Sequence, residues 1–211
     1  MICVDDVSYK YPAGDYVLSR FSAEFRRGEI AAVRGKNGCG KTTLTKLIMG
    51  ILHPSAGRIS IDGFDTSAMG LFDIGRRVGY VFQNPNRQLF CDTAFNEVAF
   101  GLRNLKLNEE LVEEKTSQYL EYFDLERYRD IYPGKMSLGE KQRLALAAVL
   151  ALGTDFLILD EPTTGLDACR RDELGNLLTK LRQELNCGIV LVSHESGFIA
   201  RYADRELVMT R

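Results

Sequence analysis

The stretch GKNGCGKT, from Gly35 to Thr42, follows the apolar run IAAV and leads into the helical pattern TTLTKLIMGIL. It satisfies G-x-x-x-x-G-K-[ST], in which glycines let backbone N–H groups turn towards phosphates at a helix N-terminus. We expect Lys41 to reach the β- and γ-phosphates of a nucleotide and the Thr42 hydroxyl to ligate Mg²⁺. Thr43 is placed to assist an α-phosphate. The predicted nucleotide-contacting positions of this stretch are Gly35, Asn37, Gly38, Cys39, Gly40, Lys41, Thr42 and Thr43.

A second motif, FLILDE at 156–161, predicts a buried strand that ends in a carboxylate pair. Ligands bind at the carboxyl ends of strands in open parallel sheets, so we expect Asp160 to serve Mg²⁺. Glu161 can orient or deprotonate an attacking water, although the pair could instead only cap the loop DEPTTGLD. His194 ends the strand pattern GIVLVSH and would emerge at the same edge, within reach of a γ-phosphate. A structural role is the alternative for a lone strand-end histidine.

The order of patterns predicts an α/β fold. Apolar runs typical of strands buried in a parallel sheet alternate with helical patterns along the chain. Short alternating strands at about 1–30 and 56–64 indicate an antiparallel β flank. Residues from about 90 to 135 are rich in helix formers and predict an inserted helical lobe, with Pro133 and Gly134 as the hinge. We therefore expect a P-loop core with a mainly parallel sheet, the flank and the lobe, as one domain over 1–211.

Composition limits the possible partners. The 27 Lys plus Arg against 29 Asp plus Glu give a net charge of −2, so we expect no nucleic-acid binding. The longest apolar run, LALAAVLAL from Leu144 to Leu152, is about half the length of a membrane span. The start MICVDDVSY alternates like a strand rather than a leader, which predicts a cytoplasmic location. The five cysteines lack zinc-site spacing and are expected as reduced thiols. We expect the helix N-terminus to raise the reactivity of Cys39 and ATP to protect it from alkylation.

These motifs in this order resemble the nucleotide-binding domain of an ATP-binding cassette (ABC) protein, from Tyr11 to His194. The resemblance implies ATP hydrolysis with Mg²⁺ by a dimer with a second ABC ATPase subunit. It implies that Tyr11 stacks on adenine, the alternative being a surface aromatic of a hairpin. It makes Gln83 the residue that senses Mg²⁺ and the attacking water. A kinase or GTPase fits less well, because no NKxD guanine-reading motif occurs.

The family's signature element departs from its usual LSGGQ, since the aligned residues here read MSLGE, from Met136 to Glu140. Ser137 and Glu140 form the pattern of a capping box. In the family, Ser137 and Gly139 would present N–H groups to the γ-phosphate held by the other subunit. Leu138 restricts the backbone and the Glu140 carboxylate repels phosphate, which raises the possibility of a dimer with one weak site.

The segment VFQNPNRQLFCDTAFNEVAFG, 81–101, resembles one branch of the family, the energy-coupling factor (ECF) importers of vitamins and metal ions. That resemblance implies that Asn84 to Phe90 lines a groove for an integral membrane subunit, with contact through Leu89 and Phe90. The chain would then sit peripherally on the inner face of the cell membrane. Branch members often carry a helical C-terminal extension, and the sequence ends at Arg211 without one, so we expect dimerisation to depend on ATP. A non-transport ABC ATPase that acts on ribosomes or DNA is the alternative.

Overall fold

The structure is a computed structural model that describes residues 1–12 and 14–210. The strands are β1 (Ile2–Lys10), β2 (Tyr16–Phe25), β3 (Ile30–Gly35), β4 (Ala56–Ile61), β5 (Phe64–Asp65), β6 (Val78–Val81), β7 (Phe156–Asp160), β8 (Gly188–Val192) and β9 (Arg205–Met209). The helices are α1 (Lys41–Ile48), α2 (Leu71–Gly75), α3 (Ala94–Asn104), α4 (Glu109–Tyr122), α5 (Leu138–Leu150), α6 (Ala168–Leu185) and α7 (Ser196–Tyr202).

The strands form two sheets. One has the order β2-β1-β4-β5, and its neighbouring strands are antiparallel. The other has the order β6-β7-β8-β3-β9, in which β3 pairs in parallel with β8 and β9, and β7 pairs in parallel with β8. The predicted α/β fold, with a mainly parallel sheet and an antiparallel flank, is confirmed. The sequence did not predict β6 or β9, which are short strands at the two edges of the parallel sheet.

Contacts divide the chain into two compact units. We call Met1–Tyr80 with Asp155–Arg211 the first unit, and Val81–Thr154 the helical unit. The helical unit starts earlier than the predicted lobe of about 90–135 and ends later, because it also contains α5. Pro133 and Gly134, predicted as the hinge, lie within the helical unit, in a short 3-10 turn just before α5.

The first unit is built on one hydrophobic core to which both sheets contribute. Strands β7 and β8 are buried along nearly their whole length, as expected for a sheet covered on both faces. Their side chains join those of the antiparallel sheet in one cluster, which includes Ile2, Ile59, Phe156, Ile158 and Val190. Each large apolar side chain that is fully buried contributes about 1.5–3 kcal/mol. At the carboxyl ends of these strands, Val33 of β3 and Asp160 of β7 both pair with Val192 of β8.

The helical unit packs α3, α4 and α5 against one another. Each helix begins with a side-chain cap, which satisfies backbone donors that the first turn leaves free. Thr93 caps α3, Asn108 caps α4 and Ser137 caps α5. Gly101 of α3 lies so close to Leu152 that an added Cβ would stand 2.6 Å from its Cδ2. Across the described residues of both units, no helix combines the length and the apolar character that a membrane span requires.

Candidate functional site

The phosphate loop connects the end of β3 to the start of α1. Gly38 and Gly40 have φ angles of 82° and 103°, a region that side-chain-bearing residues rarely adopt. The Lys41 Nζ donates to the carbonyl oxygens of Gly35 at 2.8 Å and Lys36 at 3.3 Å, so the ammonium lies across the loop. An ammonium held there, beside the donor-rich N-terminus of α1, is suited to binding phosphate.

Two other predicted positions of the loop differ in exposure. Asn37 is exposed on the loop, where its side chain is accessible to a ligand. Cys39 is buried, with 5% of its surface accessible, and belongs to the hydrophobic core cluster. An added Cβ on Gly35 would lie 2.5 Å from the Cys39 Sγ. The thiol therefore packs beneath the loop, which does not fit the expected activated, accessible cysteine; only the backbone of Cys39 is placed to meet a nucleotide.

Oxygen ligands for a cation meet where α1 faces the end of β7. The Thr42 Oγ1 donates to the Asp160 Oδ2 at 3.4 Å, and the hydroxyl of Tyr80 donates to the same oxygen at 3.0 Å. Burial raises the pKa of Asp160 above its usual value, although the bonds from Tyr80 and Thr42 act in the opposite direction. Burial also raises the pKa of Tyr80 to about 12, so its hydroxyl remains a donor at neutral pH. A hydroxyl and a carboxylate are hard oxygen ligands, and this set fits Mg²⁺.

The predicted catalytic pair is in direct contact. The His194 Nδ1 lies 2.8 Å from the Glu161 Oε2. Register explains the approach, because Asp160 at the end of β7 pairs with Val192 at the end of β8. The Glu161 N–H donates to the Val192 carbonyl at 2.8 Å, and Glu161 has a φ of 50°, which is unusual for a residue other than glycine. Such a backbone is found at functional sites more often than elsewhere.

The surroundings of this pair leave room for a ligand. The side chain of His194 is 68% exposed, whereas that of Glu161 is 15% exposed. His194 borders an open cleft of about 570 Å³ that is also lined by the loop from Thr163 to Leu166 and by Arg171. Arg171 forms an ion pair with Glu195, the residue after His194. The His194 ring is thus in contact with Glu161 through Nδ1, while most of its surface remains exposed to the cleft.

Tyr11 lies beside the start of α1. Its hydroxyl is 3.3 Å from the Thr43 Oγ1, and its ring packs edge-on against Tyr9 with centroids 5.1 Å apart. Its surface is 40% exposed, so the ring remains accessible for stacking. The structure therefore brings together, within the first unit, the predicted residues Tyr11, Gly35, Asn37, Gly38, Gly40, Lys41, Thr42, Thr43, Asp160, Glu161 and His194.

The other predicted residues, Gln83, Ser137 and Gly139, belong to the helical unit. Gln83 is exposed, just after β6. The capping box at α5 is formed: the Ser137 N–H donates to the Glu140 Oε2 at 2.8 Å, and the Glu140 N–H donates to the Ser137 Oγ at 3.4 Å. Open space surrounds the Cα of Gly139, since an added Cβ would meet nothing within 4 Å. Ser137 is also exposed at this end of α5.

The family model described as ABC transporter matches residues 18–164. The chain belongs to the ABC transporter family. It is 44% identical over 210 residues to a protein of Pyrococcus furiosus named as an ABC transporter ATP-binding protein, covering 100% of this chain and 80% of that protein. It is 40% identical over 210 residues to a protein of the same kind from Methanosarcina acetivorans, covering 99% of this chain but only 34% of that relative. The chain thus spans about a third of that second ABC protein.

Solved structures agree with this assignment. CbiO1 of Clostridium perfringens, described as part of the ABC transporter complex cbiONQ, is 35% identical with a TM-score of 0.93, covering 99% of this chain and 84% of that one. The ATP-binding cassette MJ0796, in a dimeric post-hydrolysis state bound to ADP and Pi, is 26% identical with a TM-score of 0.84, covering 100% and 94%. The predicted family and the ATPase class that it implies are confirmed.

Sequence reasoning missed Tyr80. The available signal was the run VGYV at 78–81, which has the composition of a short strand and lies directly before Phe82 and Gln83. The role of Tyr80 becomes evident only when β6 and β7 are known to be neighbours, because that sheet order places its hydroxyl beside Asp160.

Proposed function

We propose that this ABC ATPase hydrolyses ATP with Mg²⁺ and drives an ECF-type importer of a vitamin or a transition-metal ion. The observation that supports hydrolysis best is the 2.8 Å contact of His194 with Glu161, beside the Thr42 and Asp160 pair at the same strand ends. We also propose that both units form one ATPase domain, because the family model matches a single stretch, 18–164, that includes residues of both.

Binding rests on residues of the phosphate loop. Lys41 would exchange its carbonyl partners for phosphate oxygens, and the N–H groups of Gly38, Gly40 and the start of α1 would bind the same phosphates. Tyr11 would stack on adenine from beside Thr43. Thr42 and Asp160 would hold Mg²⁺. When bound, Mg²⁺ neutralises charge on the β- and γ-phosphates.

Hydrolysis would use Glu161 as the general base. Its carboxylate takes a proton from the water that attacks the γ-phosphorus, and the bond to the β–γ bridging oxygen breaks. His194 fixes the orientation of that carboxylate through Nδ1 and remains exposed on the side of the open cleft, from which it can reach the γ-phosphate. A base that is already oriented loses little entropy when the reaction begins.

A second ABC ATPase subunit would complete the site. Ser137 and Gly139 at the N-terminus of α5 would bind the γ-phosphate held by that partner. The dimeric relative MJ0796 supports this arrangement. Glu140 sits in the capping box beside these N–H groups, and its charge would weaken the site that this chain contributes. The partner can be a second copy or a related ATPase.

A membrane subunit would bind at Leu89 and Phe90, and the protein would then lie on the cytoplasmic face of the membrane. The side chain of Phe90 is well exposed and packs edge-on against Phe100, with centroids 4.9 Å apart. The buried Glu97 carboxylate accepts from the N–H groups of Phe90 at 2.9 Å and Cys91 at 2.7 Å, which fixes the segment against α3. Such a preorganised apolar anchor suits a helix-in-groove contact. Membership of CbiO1 in a transporter complex supports the proposal.

The test is a pull-down of the tagged chain from detergent-solubilised native membranes, with partners identified by mass spectrometry. We expect an integral membrane protein and an ABC ATPase to be recovered. Phe90→Glu should lose the membrane protein, whereas Leu185→Glu, an exposed apolar residue at the end of α6, should retain it. Recovery of ribosomes or DNA instead would contradict the transport proposal and favour the alternative non-transport function. Recovery of the membrane protein by the Phe90 variant would contradict the docking site.

A further inference from the structure

Tyr80 lies outside the motif residues of the nucleotide site, yet its hydroxyl touches one of them. It is carried by β6, the neighbour of β7 in the parallel sheet, and donates to the Asp160 Oδ2 at 3.0 Å. Its side chain is partly buried and packs against the core cluster of the first unit. Packing against the core restricts the position of the Tyr80 ring, and the position of the ring sets that of the hydroxyl.

Both donors to Asp160 reach the same carboxylate oxygen. The Thr42 Oγ1 is 3.4 Å from Oδ2, whereas the Tyr80 hydroxyl is 3.0 Å from it and makes the better hydrogen bond. Both hydrogen bonds therefore engage Oδ2 rather than Oδ1. Thr42 lies at the start of α1, whereas Tyr80 lies on strand β6.

Thr45 supports this geometry from α1. Its buried hydroxyl donates to the Thr42 carbonyl at 3.0 Å and lies 3.5 Å from the Tyr80 hydroxyl. The proton of Tyr80 is used on Asp160 and that of Thr45 on Thr42, so the 3.5 Å contact adds little energy. The contact matters for geometry rather than for energy, because α1, through Thr45, and the end of β7, through Asp160, both contact the Tyr80 hydroxyl.

We propose that Tyr80 is a positioning residue that orients Asp160 for Mg²⁺, an inference that rests on the proposed ATPase site. Residues that hydrogen-bond to metal ligands fix the direction of those ligands, and their loss weakens metal binding about 10- to 100-fold. A merely structural bond between β6 and β7 would instead affect stability alone. The two roles therefore differ in whether the metal affinity changes.

The experiment compares Tyr80→Phe with Tyr202→Phe. Tyr202 makes the same kind of bond, with its hydroxyl 3.1 Å from the Asp172 Oδ1, at the contact of α7 with α6. Binding of Mn²⁺ to the complex with a non-hydrolysable ATP analogue is measured by electron paramagnetic resonance, and binding of the analogue alone is measured in EDTA. We expect Tyr80→Phe to weaken Mn²⁺ binding about tenfold and to leave binding in EDTA unchanged. Tyr202→Phe should match the wild-type protein in both measurements.

The outcomes separate this inference from the proposed function. If the wild-type complex binds no Mn²⁺, both the proposed metal site and the role of Tyr80 are wrong. If the wild type binds Mn²⁺ and Tyr80→Phe binds it equally well within twofold, only the role of Tyr80 is wrong. Melting temperatures confirm that each variant is folded at the temperature of measurement. If Tyr80→Phe does not fold, Tyr80→Met, which also lacks the hydroxyl, replaces it and should show the same loss of Mn²⁺ binding.

Discussion

The imidazole of His194 lies against the carboxylate of Glu161, with 2.8 Å between Nδ1 and Oε2. Glu161 directly follows β7 and His194 lies two residues after β8, and β7 and β8 are neighbours, so the parallel sheet itself brings the two side chains together. Glu161 adopts a positive φ of 50° in making this contact. The geometry gives the carboxylate one fixed partner before any nucleotide arrives, which is the preorganisation expected of a general base.

Replacing the proposed base should stop hydrolysis without preventing binding. Glu161→Gln keeps the shape of the side chain but cannot take a proton, so we expect the rate of phosphate release to fall about 10²- to 10⁴-fold. ATP should then trap a dimer, which size-exclusion chromatography with ATP would detect. Glu206→Gln, which disrupts only an exposed ion pair with Arg34, should leave the rate unchanged. Full activity of the Glu161 variant would remove it from the catalytic role.

Lys41 should contribute to nucleotide affinity rather than to the fold. In the structure its ammonium is held by two loop carbonyls. A charged hydrogen bond is worth about 1.5–3 kcal/mol, so Lys41→Met should weaken binding of a fluorescent ATP analogue by about 10- to 150-fold. Lys46→Met, on the last turn of the same helix, should bind the analogue normally. A normal dissociation constant for the Lys41 variant would show that the loop binds phosphate through its backbone alone.

The parts of the site that could be predicted from the sequence are those whose residues lie next to one another in the chain. The phosphate loop follows from its own glycines, Lys41 and Thr42, and the carboxylates at 160–161 follow from the strand that carries them. The order of the parallel sheet could not be predicted, because parallel strands pair across long separations in the chain. The contact of Tyr80 with Asp160 depends on that order. The loop motif also did not indicate that Cys39, which lies between two glycines with positive φ angles, is buried in the core.

The capping box of α5 should make stability depend on pH. The bond from the Tyr128 hydroxyl, and then the bonds from Ser137, lower the pKa of Glu140 below its usual value. The charged carboxylate therefore favours the folded state. Its contribution is complete above the unfolded value of about 4.3 and is lost as pH falls through the lower, folded pKa.

Glu140→Gln should accordingly lower the melting temperature near neutral pH, and the difference from the wild-type protein should shrink as the pH falls below about 4. Glutamine can still accept from the Ser137 N–H, so the loss is expected to be modest, about 0.5–1 kcal/mol. Thermal unfolding across this pH range provides the measurement. Glu110→Gln, in the exposed first turn of α4, is the matched control and should follow the wild type. A difference that is constant with pH would contradict the role of the charge.

Alkylation should distinguish the cysteines by burial. Burial raises the pKa of Cys187 to about 12, and burial with the neighbouring Glu97 raises that of Cys91 to about 11, so both hold little thiolate. Cys39 is buried in the core, whereas Cys169 is exposed. Brief iodoacetamide treatment at pH 7.5 should label Cys169 first, as detected by peptide mass spectrometry, and leave the ATPase rate unchanged. Cys39 should react only in denaturant. Labelling of Cys39 in the folded protein at the rate of Cys169, with suppression by ATP, would contradict its placement beneath the phosphate loop.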